Sequence, residues 1–202
     1  MLARTAERLT QLEQEIPRAT GFVCDVADEA AVNSTVATIT QRFGAPAVLI
    51  HNAVGGAFGT FLTIDPADLE QNFRVNTMGL LYLARAVAPQ MIAAGNGAIV
   101  VTGNTSALRG KPMFAGFAPT KAAQRILAQS MARTLGPQGI HVAYLVIDAV
   151  IDVPWTRASF SDKPDDFFIK PAAIAETVWQ VAHQDRSAWS FDVELRPFGE
   201  SW

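Results

Sequence analysis

One cysteine, two tyrosines and three histidines are all that 202 residues hold of the side chains most used for covalent and proton chemistry. A lone thiol, Cys24, closes no internal disulfide. His51, His141 and His183 stand far apart in the chain with no cysteine cluster among them, which excludes the ligand spacing of a zinc site. Charge is also scarce: the net value is −3 and no long Lys/Arg cluster occurs, so the footprint of a DNA, RNA or anionic-membrane binder is absent. No apolar run approaches the roughly 18 residues of a membrane helix, and the N-terminus has no signal pattern. The reading is a soluble cytoplasmic protein whose partner is a small molecule or another protein.

What is present is apolar residues, half the chain, enough for one substantial core. No repeat, low-complexity tract or polar linker divides residues 1–202, so a single domain is expected. Leu9, Leu12 and Ile16 recur at helical spacing over 5–16. "GFVCDV" reads as a short buried strand, and apolar residues 32, 36 and 39 mark a helix over 28–43 that Gly44 and Pro46 stop. "AVLI" at 47–50 is the next strand. Asp65 followed by Pro66 is a helix start, and that helix runs to about residue 93. "AIVVT" (98–102), a helix over about 113–135, "HVAYLVI", a helix over 171–182 and "WSFDVEL" complete the alternation. The segments 51–65 and 152–171 read as long functional loops.

Wholly apolar strands alternating with helices of 12 or more residues specify an α/β, Rossmann-like doubly wound parallel sheet covered on both faces. Ligands in such sheets bind beyond the carboxyl ends of the strands. Here those ends are Asp25, "HNAVGG" (51–56), "GNTS" (103–106) and "IDAVID" (147–152).

Those four loops, in that order, resemble the short-chain dehydrogenase/reductase family over essentially the whole chain. "CDV" is similar to the segment bordering the cofactor adenine, which implies Asp25 and Val26 as cofactor contacts. "HNAV" is similar to the Asn-Asn-Ala-Gly turn and brings in Asn52 and Ala53. Asn76 in "VNTMG" matches the asparagine of the catalytic tetrad, and "FAPTK" matches the Tyr-x-x-x-Lys element. The resemblance implies hydride exchange between NAD or NADP and a carbonyl or alcohol. In the family the tyrosine hydroxyl moves the proton, the lysine lowers the tyrosine pKa and holds the ribose, and a serine polarises the carbonyl. The asparagine helps to hold a relay water. It also implies pairing of the two long helices in a homodimer or homotetramer, for which Leu80, Leu83 and Val87 form a suitable row unless they are buried within one chain.

Carried over by position, the lysine is Lys121, the tyrosine position is Phe117 and the serine position is Asn104. Phenylalanine has no exchangeable proton, and loss of acid/base help costs about 100- to 10,000-fold. The two tyrosines, Tyr82 and Tyr144, fall on a helix and inside a strand. The Asn104 amide still donates a hydrogen bond. Ser106 either polarises a substrate or bonds its own backbone in a turn. His51, at a strand end, is the one candidate base. Val54 replaces the turn glycine, with Gly55 and Gly56 able to take over. Ile147 and Asp148 stand at the family's Pro-Gly pair, leaving the backbone of 149–152, with Val150 and Ile151, to cup a carboxamide. Asp148 reads as a local cap. Trp155, Phe160, Phe167 and Phe168 serve as a lid, as core or as a dimer surface.

The family begins with a strand, a Gly-rich turn and a helix ahead of its second strand. "MLARTAERL" matches the end of that second strand, so the first βα unit is expected to be missing and the domain to be truncated at its N-terminus. Arg4 then stands where a 2′-phosphate is commonly bound, which tilts the cofactor expectation towards NADP. The strand gap would fall beside "AVLI". Two functions are compatible with this pattern: an oxidoreductase of doubtful activity, or a catalytically impaired binding or interaction protein on the same scaffold.

Overall fold

Backbone pairing in the protein, described here from a computed structural model over residues 1–199, is parallel throughout. Four strands form the central sheet in the order β3 (Val48–His51), β4 (Gly97–Asn104), β5 (Ile140–Ile147), β8 (Asp192–Leu195). β4 and β5 pair along eight residues each. Every residue of β5 is buried, as expected for a strand covered on both faces. A separate pair, β1 (Leu2–Ala3) with β2 (Phe22–Val23), is not hydrogen-bonded to the central sheet. Between the two pieces Val48 and Ile50 of β3 remain 37% and 49% exposed. A third pair joins β6 (Val150–Ile151) to β7 (Phe168–Ile169).

The helices are α1 (Ala6–Glu15), α2 (Glu29–Phe43), α3 (Pro66–Phe73), α4 (Gly79–Ala94), α5 (Ala118–Leu135), α6 (Pro154–Ser159) and α7 (Pro171–Ala182). Asp28 caps α2 by accepting from the Ala30 and Ala31 amides, and Asp65 caps α3 by accepting from Ala67. α4 ends on Gly95 at φ +61, a left-handed conformation suited to glycine. The main core lies between α2, α4, α5 and the sheet, around Val32, Leu80, Ile99 and Tyr144, all fully buried. Leu83 and Val87 belong to it too, so burial within one chain accounts for the row. The Tyr144 ring fills the space against Gly103, where an added Cβ would lie 2.1 Å from Cζ of the ring.

Several elements differ from the sequence reading. The "GFVCDV" strand shrinks to Phe22–Val23, because β1 offers two residues to pair with and Asp25 turns to accept from Ala27 N. The long helix from Pro66 is interrupted by a π-helical turn at Arg74–Met78. The helix expected from about 113 starts at Ala118. Gly59 and Phe114 bridge two strand-like segments before it, and Pro119 occupies its first turn. The last strand starts at Asp192, after a turn capped by Asp185. The 152–171 segment is ordered: Arg157 bonds both carboxylate oxygens of Asp152, reaches Asp165 at 2.6 Å and lies 4.1 Å over the Phe168 ring. Among the described residues no helix is long and apolar enough to cross a membrane.

Candidate active site

Two asparagines on one helical face, Asn72 and Asn76, fix the loops around the site. Four residues apart, they sit one above the other. Asn72 is buried and donates to the Gly116 carbonyl at 2.7 Å, just ahead of Phe117. Asn76 is fully buried: its Oδ1 accepts from Gly55 N at 2.9 Å, and its Nδ2 donates to Gly55 O and to Thr120 Oγ1, both at 2.8 Å. The side chain therefore clamps the 51–56 turn to α5, and its polar atoms are spent on protein partners.

Below this clamp lies a buried polar cluster. Lys121 Nζ, one helical turn after Phe117, donates to the Thr102 carbonyl at 3.2 Å and to Gln124 Oε1 at 2.5 Å. Gln124 Nε2 donates to the Asn76 carbonyl at 2.7 Å. The Tyr144 hydroxyl donates to Gln124 Oε1 at 3.3 Å and to the Lys121 carbonyl at 3.4 Å. Burial lowers Lys121 from 10.5 to about 7 and pushes the Tyr144 phenol up. His51 is 1% exposed, with neither ring nitrogen at hydrogen-bonding distance and angle from a partner. Its pKa falls to about 4, through burial first and then the Lys121 charge, against a smaller opposing pull from the Asn76 backbone. His51 is thus a buried neutral ring. Tyr144, the fully buried tyrosine, points its hydroxyl at Gln124 and the α5 backbone, away from service as a proton donor at the cleft.

Phe117 itself is 6% exposed and packs its ring against Phe58 and Phe114 at centroid distances of 5.9 and 6.5 Å. An apolar aromatic cluster occupies the place where the resemblance puts a phenol. Asn104 ends β4 and turns its Oδ1 onto Ser106 N at 3.1 Å, capping the turn Thr105–Ala107. Ser106 borders a cleft of about 350 Å³ with Arg109, Lys111 and Phe114; neither Phe117 nor Lys121 lines it. Asp148 accepts from Thr105 Oγ1 at 3.1 Å and lies 3.7 Å from both Arg109 and Arg196.

Of the residues expected to hold a cofactor, Asn52 and Ile151 meet in an apolar groove of about 610 Å³ that runs from the strand ends along α7, with Thr102, Val48, Ile50 and Trp179. Thr102 Oγ1 donates to Asn52 Oδ1 at 2.6 Å, tying the Asn52 turn to the strand whose carbonyl holds Lys121. Ala53 follows in the clamped turn, and Val150 pairs with Phe168. Val26 packs against the backbone of Gly79, where an added Cβ would lie 3.0 Å from Cγ2 of Val26. Asp25 caps its own turn. Arg4 is exposed at the end of β1, on the separate strand pair. Among the aromatic residues of the 152–171 segment, Phe168 is buried, Phe167 packs on it at 5.1 Å, and Trp155 is 72% exposed. No group of three or more His, Cys, Asp or Glu among the described residues is placed to hold a metal.

Sequence reasoning missed Asn72, Thr120 and Gln124. The signal was there for two of them: polar residues on the apolar face of a helix, Asn72 four before Asn76 and Gln124 three after Lys121, are costly unless bonded.

The family described as short chain dehydrogenase matches residues 1–163. An L-rhamnose 1-dehydrogenase (NAD(P)(+)) from a Sphingomonas species is 35% identical over 133 residues, which are 65% of this chain and 52% of that protein. The chain thus spans about half the length of that curated relative. A short-chain dehydrogenase from Rhodopseudomonas palustris is 32% identical with a TM-score of 0.80, covering 98% of this chain and 85% of that one. An NADPH-bound short chain oxidoreductase from Pseudomonas aeruginosa, described as containing an atypical catalytic center, is 21% identical; its TM-score of 0.86 over 98% of this chain and 85% of that one shows the shared fold. The clamped turn, the buried lysine and three of the four central strands, β3 to β5, lie inside the matched residues 1–163, and the chain belongs to the short-chain dehydrogenase family.

Proposed function

We propose that the chain is an NAD(P)-dependent oxidoreductase acting on a carbonyl or alcohol, with hydride transfer slowed by the absence of a proton donor at Phe117. One observation carries the reading: Asn76 bonds Thr120, Lys121 bonds the Thr102 carbonyl, and Gln124 joins the two pairs by bonding both Lys121 and the Asn76 carbonyl, at the carboxyl edge of the central sheet, where ligands of this fold bind. A neutral or singly protonated Lys121 beside that edge suits ribose hydroxyls. When bound, the nicotinamide supplies or accepts the hydride. The protein's own contribution is to orient: Asn76 fixes the Gly55 turn, Thr102 links Asn52 to the sheet, and the Phe58–Phe114–Phe117 rings pack together at the start of α5.

The residues fit the nicotinamide-ribose part of such a cofactor better than its pyrophosphate. The leading amides of α2 and α3 are already taken by Asp28 and Asp65. The N-cap of α1, Thr5, makes no side-chain bond, so that helix end with Arg4 beside it favours a phosphate, although Glu7 in the same turn opposes one. NADP is therefore favoured over NAD. Assembly as a homodimer or homotetramer belongs to the same proposal.

Titration with NADPH and NADH, followed by a carbonyl panel, tests the reading. Micromolar binding with slow turnover that Lys121→Ala abolishes is expected. Phe117→Tyr is expected to raise turnover about 100-fold or more, the ordinary value of a positioned proton donor. Binding without turnover in the wild type and in Phe117→Tyr would turn the reading to a ligand-binding protein.

A further inference from the structure

Gln124 is fully buried, and its amide is used at both ends. Its Oε1 takes the shortest contact that Lys121 makes and a second donor from Tyr144; its Nε2 goes to a main-chain carbonyl in the π-helical turn. That turn is where a helix widens, and such widenings recur at functional sites. Three elements therefore meet on one side chain: the π turn through Asn76, α5 through Lys121, and β5 through Tyr144. An ammonium has three donors. The Thr102 carbonyl and Gln124 Oε1 take two of those of Lys121, which leaves one N–H direction.

We propose that Gln124 is a positioning residue: anchored on the Asn76 carbonyl, it fixes the Lys121 amine so that its one remaining N–H is presented to a hydroxyl-bearing ligand at the carboxyl edge of the sheet. The ligand part of this statement rests on the reading of the site as a nicotinamide cofactor site; the clamp itself rests on the hydrogen bonds alone. The titratable groups facing the amine are His51 from β3 and Tyr144 from β5, and neither offers it a negative charge while the phenol stays protonated. Gln124 is thereby the acceptor side chain that meets the charge of Lys121, with the Thr102 carbonyl as the main-chain partner.

The test follows Lys121 by NMR in protein labelled at lysine Cε, its signal assigned by its disappearance in Lys121→Met, through a pH titration without cofactor. Gln124→Met keeps chain length and volume but removes the bonds to Lys121, the Asn76 carbonyl and Tyr144. The Lys121 midpoint is expected to fall by about one pH unit, a tenfold change in its protonation equilibrium for the loss of one hydrogen bond to a charged group. Gln124→Glu restores an acceptor and adds a charge, and the midpoint is expected to rise above wild type. If Gln124→Met fails to fold, Gln124→Glu decides alone. A Lys121 midpoint that is the same in wild type and in the variants overturns the proposal. NADPH titration supplies the second arm, with Kd expected to rise about tenfold in Gln124→Met. No NADPH binding by the wild type, with a midpoint that still follows residue 124, removes the cofactor reading and upholds the clamp. Unchanged Kd beside a moved midpoint overturns the presentation of the N–H to ligand.

Discussion

The central sheet and the β1–β2 pair are built to different densities. β4 and β5 exchange eight residues of ladder, and Ile99, Val100, Val101, Ala143 and Leu145 lose all contact with water; β1 and β2 match two residues, and Val23 stays 60% exposed. Lys121 and Asn76, expected at the nicotinamide end of a cofactor, are buried beside the dense part; Val150 and Ile151, expected there too, sit on the two-residue β6–β7 pair, and Arg4 and Asp25, expected at the adenine end, sit on the thin part. Rigidity is thus concentrated where orientation of reacting groups matters most. The thin part is joined to the rest through Cys24 and Val32 in the core and through Val26 on Gly79.

This difference can be broken by substitution. Leu80→Ala, in the first turn of α4 and fully buried, is expected to cost about 4 kcal/mol in urea denaturation, as large-to-small changes at well-packed leucines do. The acid response of His51 comes next. Its folded pKa near 4 lies below the ordinary 6.5, so the unfolded chain binds the proton first; its stabilising contribution is complete above pH 6.5 and is lost as pH falls towards 4. Comparison of wild type with His51→Leu by thermal melts between pH 7 and pH 4 should show a shallower decline in the variant, the difference reaching about 3 kcal/mol. Asn72→Ala removes the bond to the Gly116 carbonyl and should cost about 1.5 kcal/mol by the same denaturation measurement. Val23→Ala, on the thin part, should stay within about 0.5 kcal/mol. A Val23 effect as large as that of Leu80 would erase the distinction between the two parts.

Much of the architecture was readable in the chain because periodicity reports burial. The strand "HVAYLVI" lacks the alternation of a one-sided strand and is buried on both faces, and the Asp65-Pro66 pair starts α3 by the cap it suggests. Lengths were read less well. "GFVCDV" looks like a six-residue strand, but a strand extends only as far as its partner, and that information lies elsewhere in the chain. At the site, position in the motif pointed to Lys121 and Asn76, which Gln124 joins. It did not tell what their atoms do there. Asn76 spends its amide on Gly55, and Asn104 turns back on Ser106, because backbone groups in tight loops compete for the same donors and acceptors that a ligand would use.

The packing of Tyr144 on Gly103 also constrains how this protein can change. Position 103 lies beside the polar cluster, on the strand that carries both Thr102 and Asn104, and any side chain there would overlap the tyrosine ring. A larger residue at 103 calls for a smaller one at 144, and with it the loss of the phenol that Gln124 now accepts from. A distance of 2.1 Å thus couples positions 103 and 144 on two adjacent strands, so that the two are expected to change together.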